Sequence, residues 1–285
     1  MTCCVYLDDR CLPPHEALIS VFSRAVHYGD GLFETLRICN KKPFRLHDHV
    51  SRLCSGLTVL GMNTPTLAKI QGGMQALLEC TGLDEAILKI IVFREGSDHT
   101  SHFQNTESRL CMILRQFDTE RFQRSSCGIT GWVVTPRRNC RSPLPLLKSL
   151  NYLENIIGKR EAFAQGADEA LFLNTDGFLA EGATSNLFIV KNNCIMTPPE
   201  HAGILPGVTR TVILEIAASQ GIQSSIQNIH FDDLRGADEA FCTNALMGIM
   251  PLLAVNGIHL GSGTPGRLTR RLQSALAEIM STHCS

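Results

Sequence analysis

No run of apolar residues in this chain approaches the roughly 20 that a helix needs to cross a bilayer. The opening stretch, Met1 to Arg10, has no basic patch ahead of an apolar one and turns acidic at Asp8-Asp9. It therefore reads as lacking a secretory signal. Charge of one sign is also missing. The 26 Lys and Arg stand against 27 Asp and Glu, a net charge of −1, which removes the electrostatic case for nucleic acid or an anionic membrane as a partner. Neither a repeat at a period of about 20–50 residues nor a low-complexity tract is present, and solenoid and disordered-tail readings fall with them. Cysteine is plentiful, at 12 residues, yet no two are spaced as CxxC. Zinc and thioredoxin-like sites lack their spacing, and no metal is expected. Cys39, Cys111 and Cys242 lie inside strand-like runs, which suits reduced cysteines serving as small apolar side chains in a cytoplasmic protein.

What remains is an ordinary globular chain: 285 residues, 44% apolar and 19% charged. That length suits two medium domains or one large one. Helical and strand periodicities alternate along it, giving a mixed α/β (α+β) expectation. The polar stretch Gln116 to Arg121 reads as a linker. It divides a small N-terminal α/β domain, residues 1–117, from a larger C-terminal α/β domain, residues 118–285. Val5–Leu7 and Arg10–Leu12 read as a hairpin about Asp8-Asp9. Ser23 to Gly31 reads as a loop before a strand at Leu32–Ile38. Helices are expected from Leu46 to Leu60, Thr66 to Thr81, Ile156 to Gln165, Thr209 to Gln220 and Arg267 to Thr282. Strands are expected at Ala86–Arg94, Leu110–Leu114, Gly128–Val134, Glu169–Asn174, Asn186–Val190 and Asn193–Thr197.

Several short motifs carry chemistry in some contexts and none in others. Lys148 sits before the Ile156 helix, at its edge, and most such lysines are merely solvated. Glu181-Gly182-Ala183-Thr184-Ser185-Asn186 follows, then Leu205-Pro206-Gly207-Val208-Thr209-Arg210 at a helix start. Backbone N–H groups there, with the Thr209 hydroxyl, make an anion site or simply a helix start. Thr243-Asn244-Ala245 ends a strand. Arg52 is spaced to face the same side of its helix as His49 and Asp48. His99 and His102 lie in a long polar loop from Glu95 to Glu107 without an evident third metal ligand.

Taken in order, the lysine, the E-G-x-x-S-N segment and the L-x-G-V-T-R segment resemble the fold-type IV (class IV) pyridoxal-phosphate enzymes. These include branched-chain aminotransferases, D-amino acid aminotransferases and 4-amino-4-deoxychorismate lyases. The resemblance runs from about Ser23 to about Pro251. It implies a two-domain fold with the active site between the domains, pyridoxal 5'-phosphate as cofactor, a small-molecule substrate and a homodimer. It also implies roles. Lys148 is the catalytic lysine, an amine that condenses reversibly with an aldehyde and shuttles protons. Arg52, with its planar charged fork, goes to the phosphate. Gly207, Val208, Thr209, Thr243, Asn244 and Ala245 line the phosphate side. Glu181, accompanied by Asn186, faces the pyridine nitrogen and Tyr152 the phenolic oxygen. Tyr28 and Arg94 face substrate, although the residues after Arg94 do not follow the D-amino acid aminotransferase pattern. Within the family, the short Lys148–Asn151 spacing and the segment Thr243 to Pro251 look most like the lyase, which releases pyruvate to leave 4-aminobenzoate. Branched-chain and D-amino acid aminotransferases are the close rivals, and a non-catalytic binding protein of the same fold is the remote one.

Overall fold

The structure, a computed structural model, describes residues 3–96 and 107–284. It divides into two compact units. The first is Met1–Phe117 with Leu147–Asn151 and Thr282–Ser285; the second is Asp118–Leu146 with Tyr152–Ser281.

The first unit is built on one antiparallel sheet. Its strands are β1 (Cys3–Leu7), β2 (Arg10–Leu12), β3 (Gly31–Cys39), β4 (Lys42–Pro43), β5 (Ala86–Arg94) and β6 (Ser108–Gln116), in the order β2-β1-β6-β5-β3-β4. Asp8 and Asp9 both take positive φ, 53° and 60°, as a two-residue turn matched to strand twist requires. Helices α2 (Leu46–Val59) and α3 (Leu67–Thr81) pack on this sheet. Their buried residues Val50, Leu53, Leu57, Ile70, Met74 and Leu77 recur at helical spacing. They meet Leu36, Ile38, Leu88, Ile90 and Met112 from the strands in one core. The stretch expected as a loop before β3 is different: Ser23 caps a short helix, α1 (Arg24–Tyr28), and Gly29 ends it at φ 63°. A cap residue and a glycine six positions on were the signals for it.

The second unit opens with α4 (Thr119–Cys127), whose N-cap is Asp118. The expected linker is thus the cap and first turn of a helix. Next come β7 (Ile129–Arg138), α5 (Leu153–Ala164), β8 (Glu169–Asn174), β9 (Leu179–Gly182), β10 (Asn186–Lys191) and β11 (Cys194–Thr197). Then α6 (Val208–Ser219), β12 (Ser224–Ile226), α7 (Phe231–Arg235), β13 (Glu239–Asn244), β14 (Gly248–Val255), β15 (Ile258–His259) and α8 (Arg267–Cys284) complete the chain. The strand path runs β12-β11-β10-β13-β14-β7-β8-β9, and β9 pairs back onto β10. The strands from β10 to β9 therefore close on themselves. The closing contact is the single register pair Glu181↔Asn186.

The sequence reading omits β9, a four-residue strand directly after a turn, and starts α5 three residues late. Lys148 also differs from expectation. It lies not on the edge of α5 but in extended chain. Ser149 bridges Leu32, the Phe33 N–H donates to the Lys148 carbonyl at 2.8 Å, and the Leu150 N–H donates to the Gly31 carbonyl at 3.0 Å. This pairing with β3 is why residues 147–151 cluster with the first unit rather than with the C-terminal chain around them.

Gly158 in α5 faces the fully buried ring of Phe172, and a Cβ there would lie 2.4 Å from Cζ. Glycine to alanine inside a helix ordinarily stabilises by about 1 kcal/mol. Here the clash reverses the sign. Gly158→Ala is expected to lower stability by roughly 1–3 kcal/mol, read as a lower urea midpoint. A higher midpoint would show that Phe172 gives way freely.

Candidate active site

Glu34 is a carboxylate in the middle of an apolar strand, and it is fully buried. A buried charge needs partners, and α2 supplies two. His49 Nδ1 lies 2.7 Å from Oε2, and the Arg52 fork donates from Nε to Oε1 and from Nη2 to Oε2, both at 2.7 Å. Burial pushes the Glu34 carboxyl up, but the Arg52 charge and the hydrogen bonds from His49 and Arg52 outweigh it and hold the pKa at about 2. His49 and Arg52 do share a helix face, as their spacing predicts. Asp48 points elsewhere and pairs with Arg45 at 3.3 Å. The two-point Arg52–Glu34 pairing fixes the guanidinium plane.

On the neighbouring strand positions, the Lys148 Nζ lies 4.7 Å from the centre of the Phe33 ring, and the Lys89 Nζ lies at the same distance. The Lys89 ammonium is half-buried. Desolvation, then repulsion from Arg115, pull its pKa down. Tyr28 is 43% exposed, with the Arg24 guanidinium 5.0 Å from its ring centre. Arg94 is 3% exposed. Its Nε donates to Asp30 at 3.1 Å and its Nη2 to the Leu60 carbonyl at 2.6 Å. Asp30 Oδ2 also accepts from Arg24 at 2.8 Å. Arg94 thus anchors the chain between α1 and β3. His99 and His102 lie outside the described residues.

The second unit gathers most of the other expected residues around Asn186. Asn186 pairs with Glu181 on one side and with Thr243 on the other, so the three lie in one row across β9, β10 and β13. The Asn186 Nδ2 donates to the Leu205 carbonyl at 2.8 Å and approaches Glu181 Oε2 at 3.4 Å. Glu181 Oε2 also accepts from the Leu205 N–H at 2.9 Å, and its Oε1 lies 3.4 Å from Arg138 Nη2. Gly182 is dictated by the turn: a Cβ there would lie 2.3 Å from Ser185 Oγ, and its N–H donates to the Ser185 carbonyl at 2.7 Å. The segment E-G-x-x-S-N is therefore a tight hairpin that sets a carboxylate beside a fixed amide.

Gly207 caps α6. A Cβ on it would sit 1.9 Å from Asn186 Oδ1, so only glycine lets the helix N-terminus approach this closely. The first-turn N–H groups of α6 begin at Val208 and Thr209 and point from that end, with the positive end of the helix dipole. Arg210 turns away, to the Thr197 hydroxyl and the Pro198 carbonyl. Thr243 is buried, and its hydroxyl has no hydrogen-bond partner among the described residues. Asn244 is used locally: its Oδ1 accepts from the N–H groups of Leu246 and Met247 at 3.0 and 2.8 Å, shaping the turn that contains Ala245. Tyr152 donates its hydroxyl to the Ala183 carbonyl at 3.1 Å, and Asn155 donates to the same oxygen at 2.6 Å. Burial, reinforced by Glu181 and Glu169 but opposed by the Asn155 hydrogen bond, raises the Tyr152 pKa.

Sequence reading missed Glu34, Arg138 and the Leu205 backbone. A carboxylate inside an otherwise apolar strand was the available signal for Glu34. Arg138 at the end of β7 is 4% exposed, stacks 4.2 Å from the Phe172 ring centre, and pairs with Glu154 as well as Asn155 and Glu181. Nothing in its local sequence distinguishes it from Arg137. Among the described residues there is no cluster of three side chains that could hold a metal ion, and no helix is long and apolar enough to cross a membrane.

The sequence that builds these elements matches a known family. The model for class IV amino-transferases matches residues 31–255. The chain belongs to the class IV aminotransferases. It is 31% identical over 281 residues to a putative branched-chain-amino-acid aminotransferase of Methanocaldococcus jannaschii, covering 96% of each chain. It is also 31% identical over 274 residues to the aminodeoxychorismate lyase of Bacillus subtilis, covering 94% of this chain and 92% of that one. Among solved structures, the branched-chain aminotransferase of the thermophilic archaeon Thermoproteus uzoniensis with norvaline superposes with a TM-score of 0.90 at 28% identity, covering 97% and 94% of the two chains. Other solved branched-chain aminotransferases of this fold carry pyridoxamine 5'-phosphate or a phosphopyridoxyl-glutamate adduct. The class IV fold, mixed α and β, is thereby established for this chain.

The Glu34 pairing carries a pH signature. Its folded pKa lies below the ordinary value of 4.5, so its stabilisation is complete above that value and is lost as pH falls toward 2. A displacement of this size is worth about 3 kcal/mol. Glu34→Gln is expected to be less stable than the parent at pH 7, with the gap closing between about pH 4.5 and pH 2 in urea unfolding. A gap that stays constant over that range would mean that the carboxylate contributes nothing through its charge.

Proposed function

We infer that this class IV chain works with pyridoxal 5'-phosphate on the amino group of a small-molecule substrate, and that its reaction is the release of pyruvate from 4-amino-4-deoxychorismate to give 4-aminobenzoate. The residues fit the cofactor. A phosphate needs donors. The glycine-capped start of α6, the adjacent Thr209 and the Thr243 hydroxyl, which has no partner among the described residues, supply them within one neighbourhood. Within the first unit, Arg52, which the family resemblance assigns to the phosphate, has its guanidinium plane fixed by Glu34. A protonated ring nitrogen needs an anion, and Glu181 is an anion held by an arginine, an amide and a backbone N–H. Bound there, the cofactor supplies an electron sink for the carbon next to the amine.

The chain's own residues do the rest. Lys148 accepts and returns the proton at that carbon, and the ring of Phe33 holds its ammonium in place. Tyr152 carries a phenol kept protonated by burial; its one proton goes to the Ala183 carbonyl, so it donates to a phenolate only by giving up that bond. Because pyruvate elimination needs no second keto acid, one amine-handling lysine suffices.

The observation that carries the lyase over its rivals is the β13–β14 connection. Thr243-Asn244-Ala245-Leu246-Met247-Gly248-Ile249-Met250-Pro251 keeps the lyase-like pattern. Its Asn244 side chain builds the turn, which is a structural use for the asparagine where branched-chain enzymes carry a G-T-A pattern. The aminotransferase reading stands second, favoured by the equal identity to the M. jannaschii relative over nearly the whole chain. A homodimer accompanies either reading. Leu18, Val21, Phe22 and Val26 in one segment, and Leu153, Ile156, Ile157 and Phe163 in another, leave apolar side chains exposed, which suits burial against a second copy. The cysteines, all thiols among those described, suit a cytoplasmic setting.

Purified protein loaded with pyridoxal 5'-phosphate is given aminodeoxychorismate alone, or L-leucine or D-alanine with 2-oxoglutarate. The expected outcome is pyruvate and 4-aminobenzoate from the first mixture, lost in Lys148→Ala. Glutamate from either other mixture, with no pyruvate from the first, would replace the lyase by an aminotransferase. The cradle is tested separately. Gly207→Ala drives a methyl into Asn186 and is expected to weaken cofactor affinity about tenfold, the low end of what residues that support metal ligands cost when replaced, as read by equilibrium dialysis. Unchanged affinity would move the phosphate elsewhere.

A further inference from the structure

We propose that Cys4 and Cys80 are a redox-active thiol pair, which a hydroperoxide converts to a disulfide joining β1 to the last turn of α3. The two sulfurs lie 3.3 Å apart, already in hydrogen-bond contact. They differ in access. Cys80 is exposed on the helix end, while Cys4 is buried beneath it. Cys4 Sγ also donates to the Leu12 carbonyl at 3.5 Å, which fixes where it points. Burial, then the contact with Cys80, push the Cys4 thiol up to about 12. Cys4 therefore stays protonated and unreactive alone, and the oxidant meets Cys80 first. Bringing the sulfurs from contact to a bond of about 2.05 Å needs a shift of roughly 1 Å. Cys80 sits two residues before Gly82, where the helix ends at φ 67°, and a helix terminus frays readily.

The chemistry balances with one peroxide. Cys80 attacks the peroxide, the O–O bond breaks, and a sulfenic acid and one water result. The Cys4 sulfur then attacks the Cys80 sulfur, the S–O bond breaks, and the thiol proton leaves with the hydroxide as a second water. Two thiols are oxidised and one hydrogen peroxide is reduced. Cys11, on the neighbouring strand β2 and partly buried, is close enough to Cys4 to push its thiol up further, and it is the competitor that the experiment must separate. The bond would close a loop between residues 76 positions apart, tying the edge hairpin β1–β2 to the helix that covers it.

The test uses the full-length holoenzyme, reduced, freed of reductant and treated with hydrogen peroxide. After unreacted thiols are alkylated, tryptic digestion separates Met1–Arg10, which holds Cys3 and Cys4, from Ile70–Lys89, which holds only Cys80. Cys11 falls in a different peptide. The expected product joins Met1–Arg10 to Ile70–Lys89 and disappears in Cys4→Ser and in Cys80→Ser, but persists in Cys3→Ser and Cys11→Ser. Oxidation is expected to raise the melting temperature by roughly 5 °C, reversibly with dithiothreitol. Loss of the linked product in Cys3→Ser, a Cys11–Cys80 link, or conversion of Cys80 to sulfinic acid with Cys4 still alkylated after unfolding would each overturn the proposal. The exposed Cys80→Ser change leaves the core untouched, so its melting temperature without oxidant reports whether the variant has folded.

Discussion

Asn186 is the point on which the second unit depends. One amide joins three things that sequence places far apart: the carboxylate of Glu181 across the hairpin, the carbonyl of Leu205, and the start of α6, whose glycine lies against its oxygen. Backbone pairing supports the same position, since Asn186 closes the strand path against β9 while lying in register with Thr243 of β13. A side-chain amide has two donors and an acceptor, and no other small residue can serve a carboxylate, a carbonyl and a glycine contact together. Aspartate would repel Glu181, and leucine would take from the partly buried Leu205 carbonyl the amide that serves it.

The first unit solves a comparable problem with charge. A carboxylate in the interior of β3 is costly by itself, and a histidine or arginine on α2 would be no better alone. Together they form a pair in which Coulomb attraction and three short hydrogen bonds exceed the desolvation of Glu34. Such pairs rarely out-stabilise apolar packing. Their value is geometric: the two-point contact with Glu34 holds the Arg52 guanidinium plane in one orientation.

Motif order made the family legible in the sequence, along with the long elements whose periodicity is strong. The helices α2, α3 and α6 and the strands β3, β5 and β10 are each driven by apolar spacing that no tertiary context overrides. Short elements escaped. β9 has four residues and no room for a pattern; α1 has five and was hidden in a loop-like composition. Lys148 stands out in the sequence by its company, but its conformation does not, because the bridge of Ser149 to Leu32 joins segments far apart in the chain and leaves no local trace. Arg138 was invisible for the same reason. Its importance lies in Glu154, Asn155, Phe172 and Glu181, which are remote from it in sequence.

Cysteine illustrates how a correct compositional inference can still conceal a specific one. Scattered positions with no paired spacing argue for reduced, apolar use, and that account serves Cys242, fully buried with its thiol pushed up to about 12 by desolvation. Spacing along the chain, however, measures only local closeness. Cys4 reaches Cys80 because β1 lies in the sheet under α3, and Cys11 joins them because the Asp8-Asp9 turn folds β2 back beside β1. The same burial that makes Cys4 inert by itself also makes it dependent on the one exposed thiol above it. The contact, rather than the count of cysteines, is what assigns the pair a chemistry.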